Sequence, residues 1–326
     1  MPRPTLHAIR VALVAALTLS SVAVRAAGAA PAAPAAQPGP ATTLKSQQWD
    51  FTSKVNGRAY RVQVAMPSEP PPPSGYPVVY VTDGAGFFGA LTDVTRVRTM
   101  GGEVAPAVIV GISYPEDDMT VQMSRRTLDL TQVDADAGMK AEAAKLGGKP
   151  GEYAGADNFL TIIETEIKPR VAALAKTDPA RSILYGHSLG GLFTLHVLFT
   201  RPAAFQTYLI SSPSIWWRGK DVLKDEAAFA RAVSDRKVAP RIFIVVGGEE
   251  QTVPLPPYPP GITREYVEKM TVSAAMVDNA RALAARLAAL PGAPGYAVAS
   301  QVYAGESHMS IPFASFNALA KFALPK

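Results

Sequence analysis

Short apolar runs recur along the chain from residue 44 onward and are separated by longer apolar or amphipathic segments. The short runs predict strands, and their ranges are 44–52, 58–65, 78–82, 106–112, 182–185, 208–211, 241–246 and 297–303. The longer segments predict helices, at 159–175, 192–199 and 276–290. No helical segment separates the first two strands, so we expect them to pair antiparallel. The later alternation predicts an α/β fold, with a mostly parallel central sheet covered by helices on both faces.

The first 43 residues have a different composition from the rest of the chain. Arg3 and Arg10 precede an apolar stretch at 11–24 that ends in small residues, which is typical of a secretory signal peptide. We assign it to residues 1–26; the stretch is short for a transmembrane span, and an uncleaved N-terminal anchor is the alternative. Residues 27–43 are rich in alanine and proline and predict a disordered linker. Residues 44–326 are the predicted catalytic domain.

Composition limits the cellular compartments in which the protein can be located and the classes of partner that it can bind. The chain has 326 residues and no cysteine, which excludes disulfides and a lipidated cysteine but is compatible with export to a periplasm or to the medium. The formal net charge of +5 falls to +2 when the three arginines of the signal peptide are removed. No basic stripe with interleaved aromatic residues is present, so we expect neither nucleic-acid binding nor integral membrane association after signal cleavage. No cluster has the spacing of metal ligands, and we expect no metal and no cofactor.

The most informative motif is Gly-His-Ser-Leu-Gly at 186–190, between a predicted strand and a predicted helix. A serine with glycines two positions before and after it, at such a junction, is typical of the nucleophile elbow of α/β-hydrolases. The turn is tight enough to require glycine at both flanking positions. Ser188 is therefore the candidate nucleophile, and the amide of Leu189 is the first candidate oxyanion donor. An ordinary glycine-rich turn is the alternative interpretation.

A serine nucleophile needs a base, and the chain has four histidines. His7 lies in the predicted signal peptide, and the side chain of His187 should diverge from its neighbour Ser188. His196 lies about two helical turns beyond the serine and is expected to be a hydrogen-bonded core residue. His308 remains; it follows the last predicted strand, where α/β-hydrolases carry the base.

The acid is expected after the strand at 241–246, where Glu249 and Glu250 are adjacent. Glu250 is favoured because it lies three residues beyond Gly247, and Glu249 is the alternative. The second oxyanion donor is expected after the strand at 78–82, from the amide of Ala85 or that of Gly84. A plain β-turn is the alternative at that place, because Asp-Gly is a common turn sequence.

Several further segments resemble one esterase family, which includes esterase D, the antigen 85 mycolyltransferases and the enterochelin esterases. These segments are 126–131, 155–160, 166–169, 186–193, 211–217 and 306–308. Within that family, the chain most resembles the periplasmic trilactone siderophore esterases and related predicted hydrolases. The resemblance implies a serine, a histidine and an acid at Ser188, His308 and the Glu249–Glu250 turn, with oxyanion amides at Leu189 and in the loop 83–85. Some siderophore esterases use a Ser–His dyad, so the resemblance leaves open whether an acid takes part in catalysis.

Substrate recognition is expected in two long loops, 114–156 and 252–261, which depart from the family. Arg126, Trp216 and Trp217 are the candidate substrate-binding residues. Arg126 is three residues before Asp129, so pairing between the two is the favoured alternative, and the tryptophans could equally pack in the core. The sequence thus predicts a secreted serine esterase that hydrolyses a small-molecule ester, such as a siderophore trilactone, through a Ser-His-Glu acyl-enzyme mechanism. An acyltransferase and a non-catalytic binding protein with the same fold are the alternatives.

Overall fold

The computed structural model describes residues 42–132, 155–258, 261 and 263–326. The predicted signal peptide and nearly all of the predicted linker lie outside these residues, as does most of the first long loop. Residues from Thr42 to Lys326 form one unit.

Eight strands form a single sheet in the order β1-β2-β4-β3-β5-β6-β7-β8. The strands are β1 Ser46–Thr52, β2 Ala59–Ala65, β3 Tyr76–Thr82, β4 Val108–Ser113, β5 Thr177–His187, β6 Thr207–Ser211, β7 Arg241–Gly247 and β8 Ala297–Tyr303. β2 is antiparallel to both β1 and β4, and every other neighbouring pair is parallel. The predicted sheet, including its antiparallel opening pair, is confirmed.

Helices connect the strands. They are α1 Gly84–Met100, α2 Met119–Leu130, α3 Ala156–Ile162, α4 Lys168–Leu174, α5 Leu189–Thr200, α6 Trp217–Lys220, α7 Glu226–Ser234, α8 Arg264–Ala274, α9 Met276–Ala288 and α10 Ile311–Ala323. A π-helical turn, Ile163–Ile167, joins α3 to α4, so the predicted helix at 159–175 is present with an interruption. Two expectations were wrong. The glycine-rich segment after β3 begins a helix rather than a loop, and the segment expected to be a long loop contains α2.

The helices cover both faces of the sheet, as the sequence predicted. On one face, Val78 and Tyr80 of β3 pack with residues of α3, α5, α7 and α9. On the other face, Val79 and Val81 pack with residues of α1 and α10. The alternation along β3 follows from the two-residue period of a strand, and it explains why this strand is apolar throughout. Among the described residues, no helix is long and apolar enough to cross a membrane.

Candidate active site

The candidate nucleophile lies at the sharp turn between β5 and α5. Ser188 has φ 59° and ψ −117°, a conformation that non-glycine residues rarely adopt. A Cβ on Gly186 would overlap the carbonyl oxygen of Gly190, and a Cβ on Gly190 would overlap the side chain of Thr82. The two flanking glycines are therefore required by close packing. The turn holds the serine hydroxyl at the carboxyl edge of the sheet, as the sequence motif predicted.

Ser188, His308 and Glu250 lie in one hydrogen-bonded chain. His308 Nε2 is 3.0 Å from Ser188 Oγ, and His308 Nδ1 is 2.6 Å from Glu250 Oε2. Because a carboxylate can only accept, Nδ1 carries the proton and Nε2 is free to accept from the serine hydroxyl. The structure thus brings together the three residues that the sequence selected, in the arrangement of a nucleophile, a base and an orienting acid.

The carboxylate of Glu250 is fixed on both of its oxygens. Its second oxygen, Oε1, accepts the backbone N–H of Gly247 at 2.7 Å and the hydroxyl of Ser212. The side chain is 1% exposed, whereas its neighbour Glu249 is exposed. Glu250 is therefore held in one position against the imidazole of His308, which favours it over Glu249 as the acid.

Two helix N-termini meet at the serine. α5 begins at Leu189, and α1 begins directly after Asp83, so the amides of Leu189 and Ala85 belong to first helical turns. Neither of these amides has an acceptor among the described residues, whereas the amides of Gly86 and Phe87 are bonded to the carbonyl of Asp83. Free amides at helix N-termini attract negative charge, which suits an oxyanion. Ala85 lines the cavity beside the serine.

The alternative second donor, the amide of Gly84, is placed less favourably. Gly84 is buried and packs so closely on β4 that a Cβ on it would lie 2.7 Å from the backbone of Gly111. The geometry therefore favours Ala85 over Gly84.

Arg126 of α2 joins the two segments that carry these amides. Its Nε donates to Asp83 Oδ1 at 2.6 Å, and its Nη2 donates to the carbonyl of His187 at 3.1 Å. Asp83 also has a left-handed conformation, with φ 57° and ψ 42°. One guanidinium thus holds the residue before Ser188 and the residue at the start of α1, in a planar fork that suits two acceptors.

The predicted pairing of Arg126 with Asp129 was wrong. Asp129 accepts from Arg58 Nη1 at 2.9 Å and from the hydroxyl of Tyr60 at 2.8 Å, while Arg126 donates to Asp83 and to the carbonyl of His187. The spacing of three residues allows two helical side chains to meet, but here each has a partner on a different strand or loop. Burial raises the pKa of the Asp129 carboxyl, although its hydrogen bonds and the nearby arginines oppose that shift.

The other two described histidines have structural partners. The ring of His187 lies 4.5 Å from that of His308, and its Nδ1 is 3.1 Å from Ser211 Oγ. Burial, aided by the nearby His308 and Arg126, holds the pKa of His187 well below its usual range, so this ring is neutral at neutral pH. His196 is buried and its Nε2 lies 2.7 Å from Asp157 Oδ1, which confirms the expectation of a hydrogen-bonded core histidine.

A cavity of about 610 Å³ opens beside Ser188. It is lined by Asp83, Ala85, Gly86, Phe87, Ser113, Tyr114, Met119, Gln122, Met123, Arg126, His187, Ser188, His308 and Met309. Sequence reasoning missed the three methionines. A helical spacing links Met119 and Met123 to Arg126, and it could have been read from the sequence once α2 was recognised. Trp216 and Trp217 are not among these lining residues and pack against the core instead.

Comparisons with known proteins agree on one family. The sequence profile of the family described as Putative esterase matches residues 53–282. The ferri-bacillibactin esterase BesA of Bacillus subtilis is 34% identical over 282 residues, which are 84% of this chain and 88% of that protein. A siderophore triacetylfusarinine C esterase of Aspergillus fumigatus is 33% identical over 84% of this chain and 91% of its own length. The crystal structure of the BES protein from Bacillus cereus superposes with a TM-score of 0.72 at 32% identity, covering 89% of this chain and 99% of that one.

Proposed function

Because this chain belongs to the Putative esterase family and is a carboxylic-ester hydrolase, we propose that it cleaves its ester through an acyl-enzyme on Ser188. The observation that carries the proposal is the hydrogen-bonded chain from Ser188 through His308 to Glu250. A serine hydroxyl is a weak nucleophile unless a base within hydrogen-bond reach takes its proton, and His308 Nε2 lies at that distance.

In the first half-reaction, Ser188 Oγ attacks the ester carbonyl carbon while its proton passes to His308 Nε2. The carbonyl oxygen becomes an oxyanion, which the amides of Leu189 and Ala85 stabilise by donating hydrogen bonds. The intermediate then expels the alcohol, which takes the proton from His308, and the acyl group stays on the serine. Water repeats the sequence with the same base and releases the acid.

Glu250 acts through His308. It accepts the Nδ1–H, which keeps the imidazole in the tautomer that can take the serine proton, and it stabilises the imidazolium formed in each half-reaction. The backbone of Gly247 and the hydroxyl of Ser212 hold the carboxylate, so no reorganisation is needed when the imidazolium forms.

For the substrate, we propose a siderophore trilactone or a similar small ester. Of two relatives that each match 84% of this chain, one is named a ferri-bacillibactin esterase and the other a siderophore triacetylfusarinine C esterase, and the cavity volume lies in the range of small-molecule sites. The pattern of residues 1–26 supports a protein exported to the periplasm or the medium. N-terminal sequencing of the mature protein, after expression of the full chain in a bacterial host, tests the export proposal.

The direct test of the mechanism compares the wild type with Ser188→Ala on p-nitrophenyl butyrate. We expect kcat to fall by about 10³-fold or more, because loss of a catalytic serine removes the covalent route. Ser273→Ala is the matched control, since Ser273 is exposed on α8 and should leave the rate unchanged. Equal turnover by the wild type and Ser188→Ala would refute the mechanism.

A further inference from the structure

The described wall of the cavity is electrically balanced. Arg126 is its one permanently charged cation and Asp83 its one carboxylate, and the two are hydrogen-bonded at 2.6 Å. Their side chains are 15% and 16% exposed, so water does little to separate them. A second fork nitrogen of Arg126 is occupied by the carbonyl of His187. The guanidinium is thus hydrogen-bonded to groups of the protein, and its charge, balanced by Asp83, offers little attraction to an incoming ligand.

The two histidines of the wall do not alter this balance. His187 is buried, and its low pKa keeps it neutral at neutral pH. His308 is hydrogen-bonded through Nδ1 to the Glu250 carboxylate, so it adds no unpaired cation to the wall. No other ionisable group except the tyrosine hydroxyl of Tyr114 is among the described lining residues.

The outer part of the wall is apolar. Met119 and Met123 are one turn apart on the same side of α2, and Met309 follows His308 directly. Their exposed fractions are 69%, 50% and 76%, although methionine side chains are usually buried. Thioether side chains are flexible and polarizable, and they adapt to flat or irregular apolar groups, including aromatic rings.

We propose that this site selects uncharged esters that carry an apolar or aromatic group, and that it disfavours anionic ones; the proposal rests on the esterase function at Ser188. An anion that enters loses hydration, and beyond the oxyanion amides, which the reacting carbonyl oxygen occupies, it finds only a neutral wall and thioethers, which do not replace the lost water. An uncharged aromatic or alkyl group gains contact with the methionines at no such cost.

The test uses two esters of the same chain length, p-nitrophenyl hexanoate and mono-p-nitrophenyl adipate, which differ by a terminal carboxylate. After subtraction of spontaneous hydrolysis, we expect the wild type to prefer the hexanoate by about tenfold or more in kcat/KM. Met123→Lys places a cation in the wall at a half-exposed position, so it should raise kcat/KM for the adipate and narrow the preference several-fold. That gain should shrink at high salt, because an exposed charge is screened.

Met100→Lys is the matched control. Met100 is also an exposed helical methionine, but it lies at the far end of α1 and does not line the cavity, so the preference should not change. Equal or faster hydrolysis of the adipate by the wild type would overturn the proposal while leaving the esterase function intact. An unchanged preference in Met123→Lys would also overturn it. Hydrolysis of neither ester by the wild type would instead overturn the proposed function, and this proposal with it.

Discussion

Replacing Arg126 by glutamine should slow the chemical step while leaving substrate affinity nearly unchanged. The guanidinium is bonded to Asp83, at the start of α1, and to the carbonyl of His187, directly before the nucleophile. These two segments carry the amides of Ala85 and Leu189, so the arginine sets the distance between the two oxyanion donors. Its proposed role is that of a positioning residue.

The expected magnitude follows from the contacts that are lost. Removing an oxyanion donor outright lowers kcat by about 10²–10³-fold, and here the amides remain but lose their brace. We therefore expect kcat to fall by about 10–100-fold, or about 1.4–2.7 kcal/mol of barrier. The variant should also be less stable by about 2–4 kcal/mol, because Asp83 is mostly buried and would keep its charge without its partner.

The assay measures kcat and KM on p-nitrophenyl butyrate, together with inhibition by an alkyl boronic acid, whose tetrahedral adduct resembles the intermediate. Boronate affinity should fall in parallel with kcat, and KM should stay within about twofold. The double variant with Asp83→Asn should regain stability without regaining kcat, since it removes the unpaired charge but not the lost positioning. A raised KM with unchanged kcat would refute the reasoning and would indicate that Arg126 binds the substrate directly.

Three further predictions concern the acid, the elbow and a partly buried lysine. Glu250→Gln should lower kcat by about 10²–10⁴-fold and Glu249→Gln by less than about twofold; similar rates for both variants would refute the assignment of the acid. Gly186→Ala should lower the free energy of unfolding by about 3 kcal/mol or more, because the added methyl group would overlap backbone. Gly86→Ala is the control, since its methyl group would enter free space, and equal thermal midpoints for the two variants would contradict the prediction. Burial lowers the pKa of Lys168 to about 8 from its usual 10.5, so unfolding takes up a proton between these pH values. The wild type should therefore gain stability relative to Lys168→Met as the pH rises from about 8 to 10.5, and a constant difference in denaturation midpoint would contradict it.

The parts of the site that could be predicted from the sequence are those with local or chain-order signals. The elbow at Ser188 requires glycines at fixed positions, because a Cβ on Gly186 would overlap the backbone of Gly190 and a Cβ on Gly190 would overlap the side chain of Thr82. His308 could be found by elimination, because a chain with four histidines leaves few candidates. Both signals can be recognised in the sequence without knowledge of tertiary contacts.

The parts that could not be predicted depend on long-range contacts. The three glycines of α1, at 84, 86 and 89, weaken its helical signal, and Gly84 is present because α1 packs against β4 at Gly111. The partner of Arg126 is 43 residues away, and no spacing along α2 reveals it. The spacing from Gly247 favoured Glu250 over Glu249, but the hydroxyl of Ser212, which also holds the Glu250 carboxylate, comes from the end of another strand and gives no signal along the chain.

Fluorophosphonate labelling shows whether ester hydrolysis proceeds through Ser188. The purified protein is treated with the probe, residual activity is followed on p-nitrophenyl butyrate, and the adduct is located by peptide mass spectrometry. We expect one adduct, on Ser188, that forms at the rate at which activity is lost. Full hydrolytic activity after complete labelling of Ser188, or loss of activity with the adduct on another residue, would contradict this expectation.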